Sequence, residues 1–458
     1  MSDLQPKPQR LFVANRGEIA LRVIRAAHAL GIDTVLGVSA ADRDSPAARE
    51  ARRTLVLGPA AARSSYLDQN LVMHAATATG CTALHPGYGF LSERPELAAL
   101  CAQENIVFIG PTADSIRAVG DKLSAKRLAE AARVPMTRGS GKLQGVGHAL
   151  QVAEQIGYPV ITKASAGGGG RGMMVARNAA ELRDVFERAA ATAREAFGDD
   201  TLYLEAYVEH ARHLEVQLMG DGNGRVIHFG ERDCSIQRRY QKMIEEAPAA
   251  ILSDDVRAAL RAAAVDLLGS IGYRNAGTVE FLYDADRRVF SFMEVNARIQ
   301  VEHPVSEEIT GIDLIKLQLE IGMGRRTLPG QETIRTQGHA IEARILAEDP
   351  RRNFSPSPGR ITTWNPPSGP GIRVDSGVVA GSMVPPFYDS MVAKLIVHGA
   401  TRTEAIDRLV SALGRFEVAG IATNIPLLRA IATHEDFRNN DVGTRWLETT
   451  LLPAFDAR

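Results

Sequence analysis

The chain has 458 residues, a formal net charge of −1 and 45% hydrophobic residues. The length predicts roughly two to four domains, and the hydrophobic content excludes an intrinsically disordered chain. Because nucleic-acid-binding proteins usually carry a basic surplus, the near-neutral charge argues against that class of partner.

Cysteine spacing and hydropathy indicate the cellular compartment in which the chain works. Cys81, Cys101 and Cys234 form no CxxC pair, which argues against a disulfide framework or a zinc site and predicts ordinary buried thiols. The first residues lack the apolar core of a signal peptide, and no run of about 18 apolar residues occurs. We therefore expect a cytoplasmic protein without a membrane span.

The first third of the chain alternates short apolar runs with amphipathic stretches, which is typical of a parallel α/β sheet. The turn after the first run lacks a GxGxxG pattern, so a dinucleotide site is not supported. Strands are predicted at residues 11–15, 34–38, 54–57 and 107–109, and helices at 18–30 and 66–79.

The rest of the chain predicts a second α/β unit and then an antiparallel one. Residues 111–134 are predicted to be helical and then linker-like, residues 140–147 form a glycine-rich connection, and the second unit begins near 151. A proline-rich segment, 350–370, marks the last part. Strands are predicted at 201–208 and 214–219, as a pair within 279–296, and at 338–346, 359–363, 372–376 and 393–397.

The strongest local signal is a row of polar side chains within residues 290–303. Positions 294, 296, 298, 300 and 302 are Glu, Asn, Arg, Gln and Glu, whereas the odd positions between them are apolar. Because side chains alternate faces along an extended chain, an extended 294–302 segment has one apolar face and one face of acid, amide and base. The alternative is a half-exposed strand with a solvated polar face, which alternation by itself favours.

Two carboxylates favour a functional polar face over a solvated strand face. Glu280 and Glu294 each interrupt an apolar run in strands that we expect to be adjacent. A buried carboxylate without a partner is costly, so each needs a cation. With Asn296 they supply the oxygen ligands that suit Mg²⁺ or Mn²⁺, whereas a plain salt-bridge network is the less favoured alternative.

A glycine run gives the second signal. Residues 163–173 place four consecutive glycines between Lys163 and Arg171, directly after an apolar strand. Such a run lets backbone N–H groups approach an anion and keeps the segment mobile, which suits a flap that closes on a triphosphate. The Walker A order is absent, and a flexible hairpin tip is the alternative.

Several single residues are weaker candidates. His213 and Glu215 flank Leu214, so both face one side of a strand, although a hydrogen-bonded core histidine is the ordinary interpretation. Lys122 and Lys242 are further candidate cations. A lone lysine is usually solvated, and the acidic neighbours of Lys242 would be worth little as surface ion pairs.

Two more positions suggest contact with a ligand. Gly87 and Gly89 around Tyr88 indicate tight backbone geometry, for which a structural turn is the alternative. Arg344 lies in an otherwise apolar strand and needs an anion. Glu342 lies on the same face and is one candidate partner.

Together these segments resemble the biotin carboxylase family of ATP-grasp ligases over residues 10–450, and the motifs are long and follow the family's order. They are ANRGEIA (14–20), HPGYGFLSE (85–93), GGGGRGM (167–173), ERDCSIQRR (231–239), QKMIEEAP (241–248), NARIQVEHP (296–304), AEDP (347–350) and PPFYDSM (385–391).

The resemblance implies a role for each candidate position. It implies ATP contacts for Lys122, Lys163, Gly169, Gly170, His213, Tyr240, Glu280 and Glu294, and for the backbone of Glu205, Ala206, Tyr207 and Val208. It implies that two divalent ions bind to Glu280, Glu294 and Asn296. It implies a bicarbonate site of Lys242, Arg298, Gln300, the Val301 backbone and Glu302, and a biotin site of Arg344 and Tyr88.

Three positions depart from the family's usual pattern. Tyr240 stands where a histidine is common, and a phenol is a poor cation at neutral pH. Ala206 replaces a commonly charged residue, and Ala297 a common threonine. The catalytic candidates Arg298, Glu302, Lys242 and Arg344 are all present.

The same resemblance implies a three-domain α/β fold. The expected parts are a Rossmann-like pre-ATP-grasp domain at 1–120, an ATP-grasp domain at 121–330 with a mobile lid at about 137–208, and a C-terminal α+β antiparallel barrel-like domain at 331–450. The implied activity is carboxylation of biotin by ATP and bicarbonate through carboxyphosphate. A different ATP-grasp carboxylate–amine ligase and a catalytically silent nucleotide-binding protein are the alternatives.

The expected partners follow from what the chain lacks. We find no biotinyl attachment segment, with a lysine between two methionines, and no room for an acyl-transfer domain. We therefore expect a separate biotin carboxyl carrier protein, separate carboxyltransferase subunits and, from the resemblance, a homodimer. Acetyl-CoA carboxylase is the commonest destination, and a propionyl-CoA, pyruvate or urea-type carboxylase would need the same half-reaction.

Overall fold

The computed structural model describes residues 9–165 and 173–456, and its first layer is a parallel sheet with the strand order β3-β2-β1-β4-β5. This arrangement confirms the parallel sheet predicted for the first third of the chain. The strands are β1 (Arg10–Val13), β2 (Asp33–Ser39), β3 (Arg53–Gly58), β4 (Ala83–His85) and β5 (Val107–Phe108). The helices are α1 (Gly17–Ala29), α2 (Pro46–Glu50), α3 (Gln69–Ala78), α4 (Pro95–Gln103), α5 (Ala113–Gly120) and α6 (Lys122–Ala131).

Capping residues explain why two helices differ from the sequence prediction. Helix α3 begins after Asp68, whose carboxylate accepts the Leu71 N–H at 3.0 Å. Tyr66, predicted as its start, is instead buried and donates to Asp42 at 2.6 Å. The stretch 111–134, predicted to be helical and then linker-like, contains two helices, because Asp121 ends α5 and caps α6.

A small antiparallel unit follows. It contains α7 (Val146–Ile156), β6 (Val160–Ala164), β7 (Met174–Ala176), α8 (Ala179–Phe197) and β8 (Leu202–Ala206), with the strand order β7-β6-β8. The two helices and the sheet enclose a hydrophobic cluster of their own. The Asn178 side chain caps α8, and Gly198 ends that helix in the left-handed conformation.

Residues 211–346 form long antiparallel strands and three helices. The strands are β9 (Ala211–Asp221), β10 (Val226–Arg238), β11 (Gln241–Ala247), β12 (Arg274–Asp284), β13 (Val289–Asn296) and β14 (His339–Leu346). The helices are α9 (Asp254–Ser270), α10 (His303–Thr310) and α11 (Leu314–Gly322).

The last part of the chain contains shorter strands and four helices. The strands are β15 (Glu348–Asp349), β16 (Ser355–Pro356), β17 (Gly359–Arg360), β18 (Thr363–Asn365), β19 (Ile372–Ser376), β20 (Met383–Val384), β21 (Met391–Gly399) and β22 (Glu417–Ala419). The helices are α12 (Arg402–Arg415), α13 (Ile425–Thr433), α14 (Glu435–Arg438) and α15 (Leu452–Asp456).

One eight-stranded sheet joins these last two parts in the order β13-β12-β9-β10-β11-β14-β21-β19. Its neighbouring strands are antiparallel, which confirms the antiparallel C-terminal strands expected from the sequence. The sheet is continuous from β11 to β14, so polar residues on strands far apart in sequence lie side by side.

Burial agrees with the composition. All three cysteines are free and buried, as their spacing predicted. Among residues 9–165 and 173–456, no helix combines the length and the apolar character that crossing a bilayer requires.

Candidate active site

A cavity of about 1010 Å³ lies where the parallel sheet, the small antiparallel unit and the eight-stranded sheet meet. Every candidate site residue that the structure describes lines it. Gly169 and Gly170 lie outside the described residues. The lining candidates are Tyr88, Lys122, Lys163, Glu205, Ala206, Tyr207, Val208, His213, Tyr240, Lys242, Glu280, Glu294, Asn296, Arg298, Gln300, Val301, Glu302 and Arg344.

Lys242 on β11 is the centre of the polar network. Its ammonium lies 2.6 Å from a Glu215 oxygen, 2.6 Å from a Glu302 oxygen, 3.1 Å from Glu280 Oε1 and 3.2 Å from Gln300 Oε1. Burial alone would lower the pKa of Lys242, but the surrounding anionic groups raise it well above its usual value. The acidic side chains around it therefore enclose a protonated ammonium group.

Glu280 and Glu294 are directly opposed across β12 and β13, which are neighbours as the two interrupted apolar runs predicted. Glu280 Oε1 accepts from Asn296 and Gln300, both at 2.9 Å, and Glu280 Oε2 lies 2.8 Å from Nε2 of His213. Burial and the Glu280 charge raise the pKa of Glu294. A divalent cation fits this place, because it would relieve the repulsion and would find carboxylate and amide oxygens as ligands.

The row of polar residues is extended only as far as Asn296, where β13 ends. The strand pair predicted within 279–296 therefore ends where expected, and the condition of an extended segment up to residue 302 is not met. Glu93 accepts the Ala297 N–H at 3.1 Å and binds the Arg298 guanidinium at 3.1 Å, and Glu302 then precedes α10. The polar side chains of the row nevertheless lie close together, because Arg298 donates to Asn296 at 3.0 Å.

Arg344 on β14 binds two carboxylates. Its Nε lies 2.6 Å from Glu245 Oε1, and its Nη2 lies 2.9 Å from Glu302 Oε2. Glu342, the partner considered from the sequence, is not bound to it. Instead Glu342 lies opposite Glu245 on the neighbouring strand, and its oxygens have no hydrogen-bond partner among the described residues. Burial raises the pKa of Glu245 to about 7 although Arg344 opposes this shift.

A triad of two lysines and one carboxylate marks the opposite end of the cavity. The ammonium groups of Lys163 and Lys126 each lie 2.5 Å from an oxygen of Glu205. Lys126 also lies over the Tyr203 ring, 4.2 Å from its centroid. The sequence interpretation used only the backbone of Glu205 and missed Lys126, because a lone lysine in a helix gives no signal.

Other candidates around the cavity have defined surroundings. Lys122 opens α6, and burial lowers its pKa. Burial also opposes protonation of His213, but the Glu280 carboxylate outweighs it and raises the pKa of the imidazole. Tyr240 lies at the turn between β10 and β11 with a positive φ of 66° and is 55% exposed. Ala206 ends β8, and Ala297 is buried.

The turn around Tyr88 is held by hydrogen bonds. The Asn15 amide donates to the carbonyls of Pro86 and Tyr88 at 2.7 and 2.8 Å. Gly87 has a φ of +64°, and a Cβ there would lie 2.7 Å from the Asn15 Nδ2. The Tyr88 hydroxyl points to Glu18 on α1 and donates to its carboxylate.

Comparison with known proteins agrees with this geometry. Three family models match: "Biotin carboxylase, N-terminal domain" at residues 7–116, "Carbamoyl-phosphate synthase L chain, ATP binding domain" at 121–329 and "Biotin carboxylase C-terminal domain" at 342–449. Biotin carboxylase 1 of Bacillus subtilis is 47% identical over 442 residues, which cover 96% of this chain and 98% of that protein. The chain belongs to the biotin carboxylase family.

Two further relatives show how the family is used elsewhere. One subunit of the pyruvate carboxylase of Methanothermobacter thermautotrophicus is 47% identical over 96% of this chain and 89% of that protein. The biotin carboxylase domain dimer of the Hydrogenobacter thermophilus 2-oxoglutarate carboxylase, solved with MgADP, ADP and bicarbonate, superposes with a TM-score of 0.91. It is 45% identical, over 96% of this chain and 97% of that chain.

Membership of the biotin carboxylase family confirms the fold class expected from the sequence, and it makes the chain an ATP-dependent carboxylase. The residues that sequence reasoning missed are charged groups whose partners are distant in sequence. Lys394 interrupts an apolar strand, so the reasoning applied to Glu280 also predicts a buried charge there. Arg232, which lies 2.5 Å from Glu215, stands in a charged stretch of β10 and gives no such signal.

Proposed function

We propose that the chain carboxylates biotin on a separate carrier protein, using MgATP and bicarbonate, as the first half-reaction of a biotin-dependent carboxylase. The observation that carries this proposal is the arrangement around Glu302. One of its oxygens binds the Lys242 ammonium and the other binds the Arg344 guanidinium. An acidic residue between two cations at the floor of a cavity suits a general base that activates a small anion.

Bicarbonate binds, in this proposal, to Lys242, Arg298, Gln300, the Val301 backbone and Glu302. Burial would raise the pKa of Glu302, but Lys242 and Arg344 outweigh it and lower the pKa, so the carboxylate is ionised at neutral pH. Glu302 takes the bicarbonate proton. The freed oxygen attacks the γ-phosphorus of ATP, and cleavage of the bond to the β-phosphate oxygen gives carboxyphosphate and ADP.

Biotin is then carboxylated next to Arg344 and Tyr88. Carboxyphosphate breaks down to CO₂ and phosphate, and the phosphate takes the proton from the ureido nitrogen of biotin. The nitrogen attacks CO₂ and forms the new carbon–nitrogen bond. The Arg344 guanidinium stabilises the negative charge that develops on the ureido oxygen, as a fixed donor does in an oxyanion hole.

ATP occupies the other end of the cavity. We assign its phosphates to Lys122, Lys163, His213, Tyr240 and the 166–172 glycine segment, and its adenine to the backbone at 205–208. Glu280, Glu294 and Asn296 would hold Mg²⁺ or Mn²⁺, which neutralises phosphate charge during transfer. The small antiparallel unit has its own hydrophobic core, which supports its role as a lid over about residues 137–208 within the proposed 121–330 domain.

The proposal also names the final acyl acceptor and the proteins with which the chain assembles. We propose a biotin carboxyl carrier protein and carboxyltransferase subunits as partners, a homodimer, and acetyl-CoA carboxylase as the first complex to test. Relatives named for pyruvate and for 2-oxoglutarate are as similar as those named simply for biotin carboxylase, so identity does not select the acceptor. Transfer from carboxylated carrier to acetyl-CoA or pyruvate, with each purified transferase, distinguishes them.

Release of ADP from MgATP tests the proposed half-reaction. The rate should depend on bicarbonate and should rise when free biotin is added. Arg298→Ala should abolish carboxylation and leave nucleotide binding within about twofold, because the guanidinium contacts Glu93 and the proposed metal ligand Asn296 but no residue assigned to the phosphates or the adenine. Turnover that is indifferent to both bicarbonate and biotin would indicate another ATP-grasp ligase instead.

A further inference from the structure

Lys394 on β21 is a fully buried lysine behind the wall of the active-site cavity. Its side chain has a relative exposed area of 0%, and it does not line the cavity itself. On the neighbouring strand β14 it is paired in register with Arg344. A buried ammonium is costly unless oxygen atoms bind it. The oxygen atoms that contact Lys394 therefore indicate its role.

The ammonium binds two oxygens from distant parts of the chain. It donates to the Val301 carbonyl at 2.8 Å and lies 3.2 Å from Oε1 of Glu18. Glu18 lies in the segment that matches the N-terminal family model, Val301 in the ATP-binding one and Lys394 in the C-terminal one. One side chain therefore joins all three segments at the active site.

Both partners of Lys394 lie next to groups that the proposed reaction uses. The Val301 carbonyl belongs to the peptide that leads into Glu302, the proposed base, and the Val301 backbone is part of the proposed bicarbonate site. The Glu18 oxygen that contacts Lys394 also accepts the hydroxyl proton of Tyr88, at the proposed biotin site. A continuous chain of hydrogen bonds thus runs from Tyr88 through Glu18 and Lys394 to Val301.

We propose that Lys394 is a positioning residue that fixes the Val301 carbonyl, and with it the bicarbonate site, and that Glu18 links this site to Tyr88. This inference rests on the proposed function, because it assigns Val301 and Glu302 to bicarbonate. The charge-assisted hydrogen bond holds a segment that has no regular structure between β13 and α10, and without it the Val301 peptide is free to rotate. Misplacement by a fraction of an ångström is enough to weaken anion binding.

The test is the KM for bicarbonate in the bicarbonate-dependent release of ADP. Lys394→Met should raise this KM about tenfold, the scale of one lost charge-assisted hydrogen bond, whereas the KM for MgATP stays within about twofold. A purely structural lysine would lower the amount of active enzyme and leave both KM values unchanged. Unchanged KM values for both substrates would therefore overturn the proposal. Lys316→Met, at a half-exposed position of α11, is the matched control.

A second variant keeps the test decisive if Lys394→Met does not fold, since that change leaves buried Glu18 without its cation. Glu18→Gln preserves the shape of the side chain and removes only the charge that holds Lys394. It should raise the KM for bicarbonate about threefold, and a KM equal to that of the parent would contradict the link. Parent enzyme without any bicarbonate dependence would instead overturn the proposed function, so the two failures are distinguishable.

Discussion

The ammonium of Lys242 and the carboxylate of Glu302 form a 2.6 Å ion pair at the floor of the cavity, although one residue lies on β11 and the other precedes α10. Glu302 is 1% exposed, so its charge depends on its neighbours and not on water. Burial raises the pKa of Glu302, and Lys242 is the strongest of the cations that lower it. The activity of the base is thereby tied to this lysine.

Lys242→Met should reduce bicarbonate-dependent turnover about a hundredfold at neutral pH, the scale of a lost general base. Without the ammonium, only the arginines oppose burial, so the pKa of Glu302 rises and a larger fraction of the base is protonated at neutral pH. The loss should therefore shrink as the pH is raised, which a pH profile of ADP release measures. A loss that does not vary with pH would show that Lys242 acts only by binding bicarbonate. Lys316→Met, at the half-exposed position on α11, serves as the lysine control.

Glu294→Gln should separate stability from activity. Burial and the opposed Glu280 raise the pKa of Glu294, so the neutral amide removes a repulsion from the metal-free protein. The melting temperature without Mg²⁺ should rise, whereas the free Mg²⁺ needed for half-maximal turnover should increase about tenfold. Added Mg²⁺ with nucleotide should stabilise the parent more than the variant. An equal Mg²⁺ requirement in both proteins would remove Glu294 from the ligand set.

Glu245→Gln should change how turnover depends on pH. The parent carboxyl has a raised pKa of about 7, so it is neutral below that pH, like the amide, and charged above it. Once charged, it partly neutralises Arg344, to which it is hydrogen-bonded at 2.6 Å. The ratio of variant to parent turnover with biotin should be near one at about pH 6 and should rise towards about pH 8. A constant ratio across that range would contradict this role of Glu245.

Glu246→Gln should weaken the fold in a pH-dependent way outside the cavity. Burial opposes ionisation of Glu246, but the hydrogen bond with His339 and the Arg402 charge lower its pKa to about 2. A lowered carboxyl pKa stabilises the fold above the unfolded value of 4.5, and this contribution disappears as the pH falls from 4.5 towards 2. The variant should lose about 3 kcal/mol at neutral pH.

Thermal melts at neutral and acid pH check this expectation. The difference in melting temperature between parent and Glu246→Gln should be largest at neutral pH and should close as the solution is acidified. Glu96→Gln, on the exposed surface of α4, is the control and should melt like the parent at each pH. A difference in melting temperature that grows in acid would mean that ionised Glu246 does not stabilise the fold, which contradicts the prediction.

Local patterns in the sequence predicted much of the fold, because hydrophobic periodicity within a short segment favours one type of secondary structure. The parallel sheet follows from apolar runs that alternate with amphipathic stretches, and the β12–β13 pair follows from two short apolar runs joined by a turn. The main error is at a place where one side chain overrides the pattern, since Asp68 shortens α3. Strand β13 ends at Asn296, within the predicted bounds, and Glu93 binds the next residue, Ala297.

Only the site residues that lie inside recognisable sequence motifs could be predicted. Residues inside long matched motifs, such as Lys242 and Glu302, line one cavity as expected. The pairing of Arg344 with Glu245 in place of Glu342 depends on which strands are neighbours, and periodicity carries no such information. Lys126 was missed for the same reason, since its partner Glu205 lies 79 residues away.

Formation of carboxybiotin is the most direct test of the central claim. Purified chain, MgATP, ¹⁴C-bicarbonate and free biotin are incubated, and acid-labile label on biotin is measured after removal of free bicarbonate. The account predicts labelled biotin in amounts that match the biotin-stimulated release of ADP, and no label with Arg298→Ala. Release of ADP that biotin stimulates without any label on biotin would contradict it.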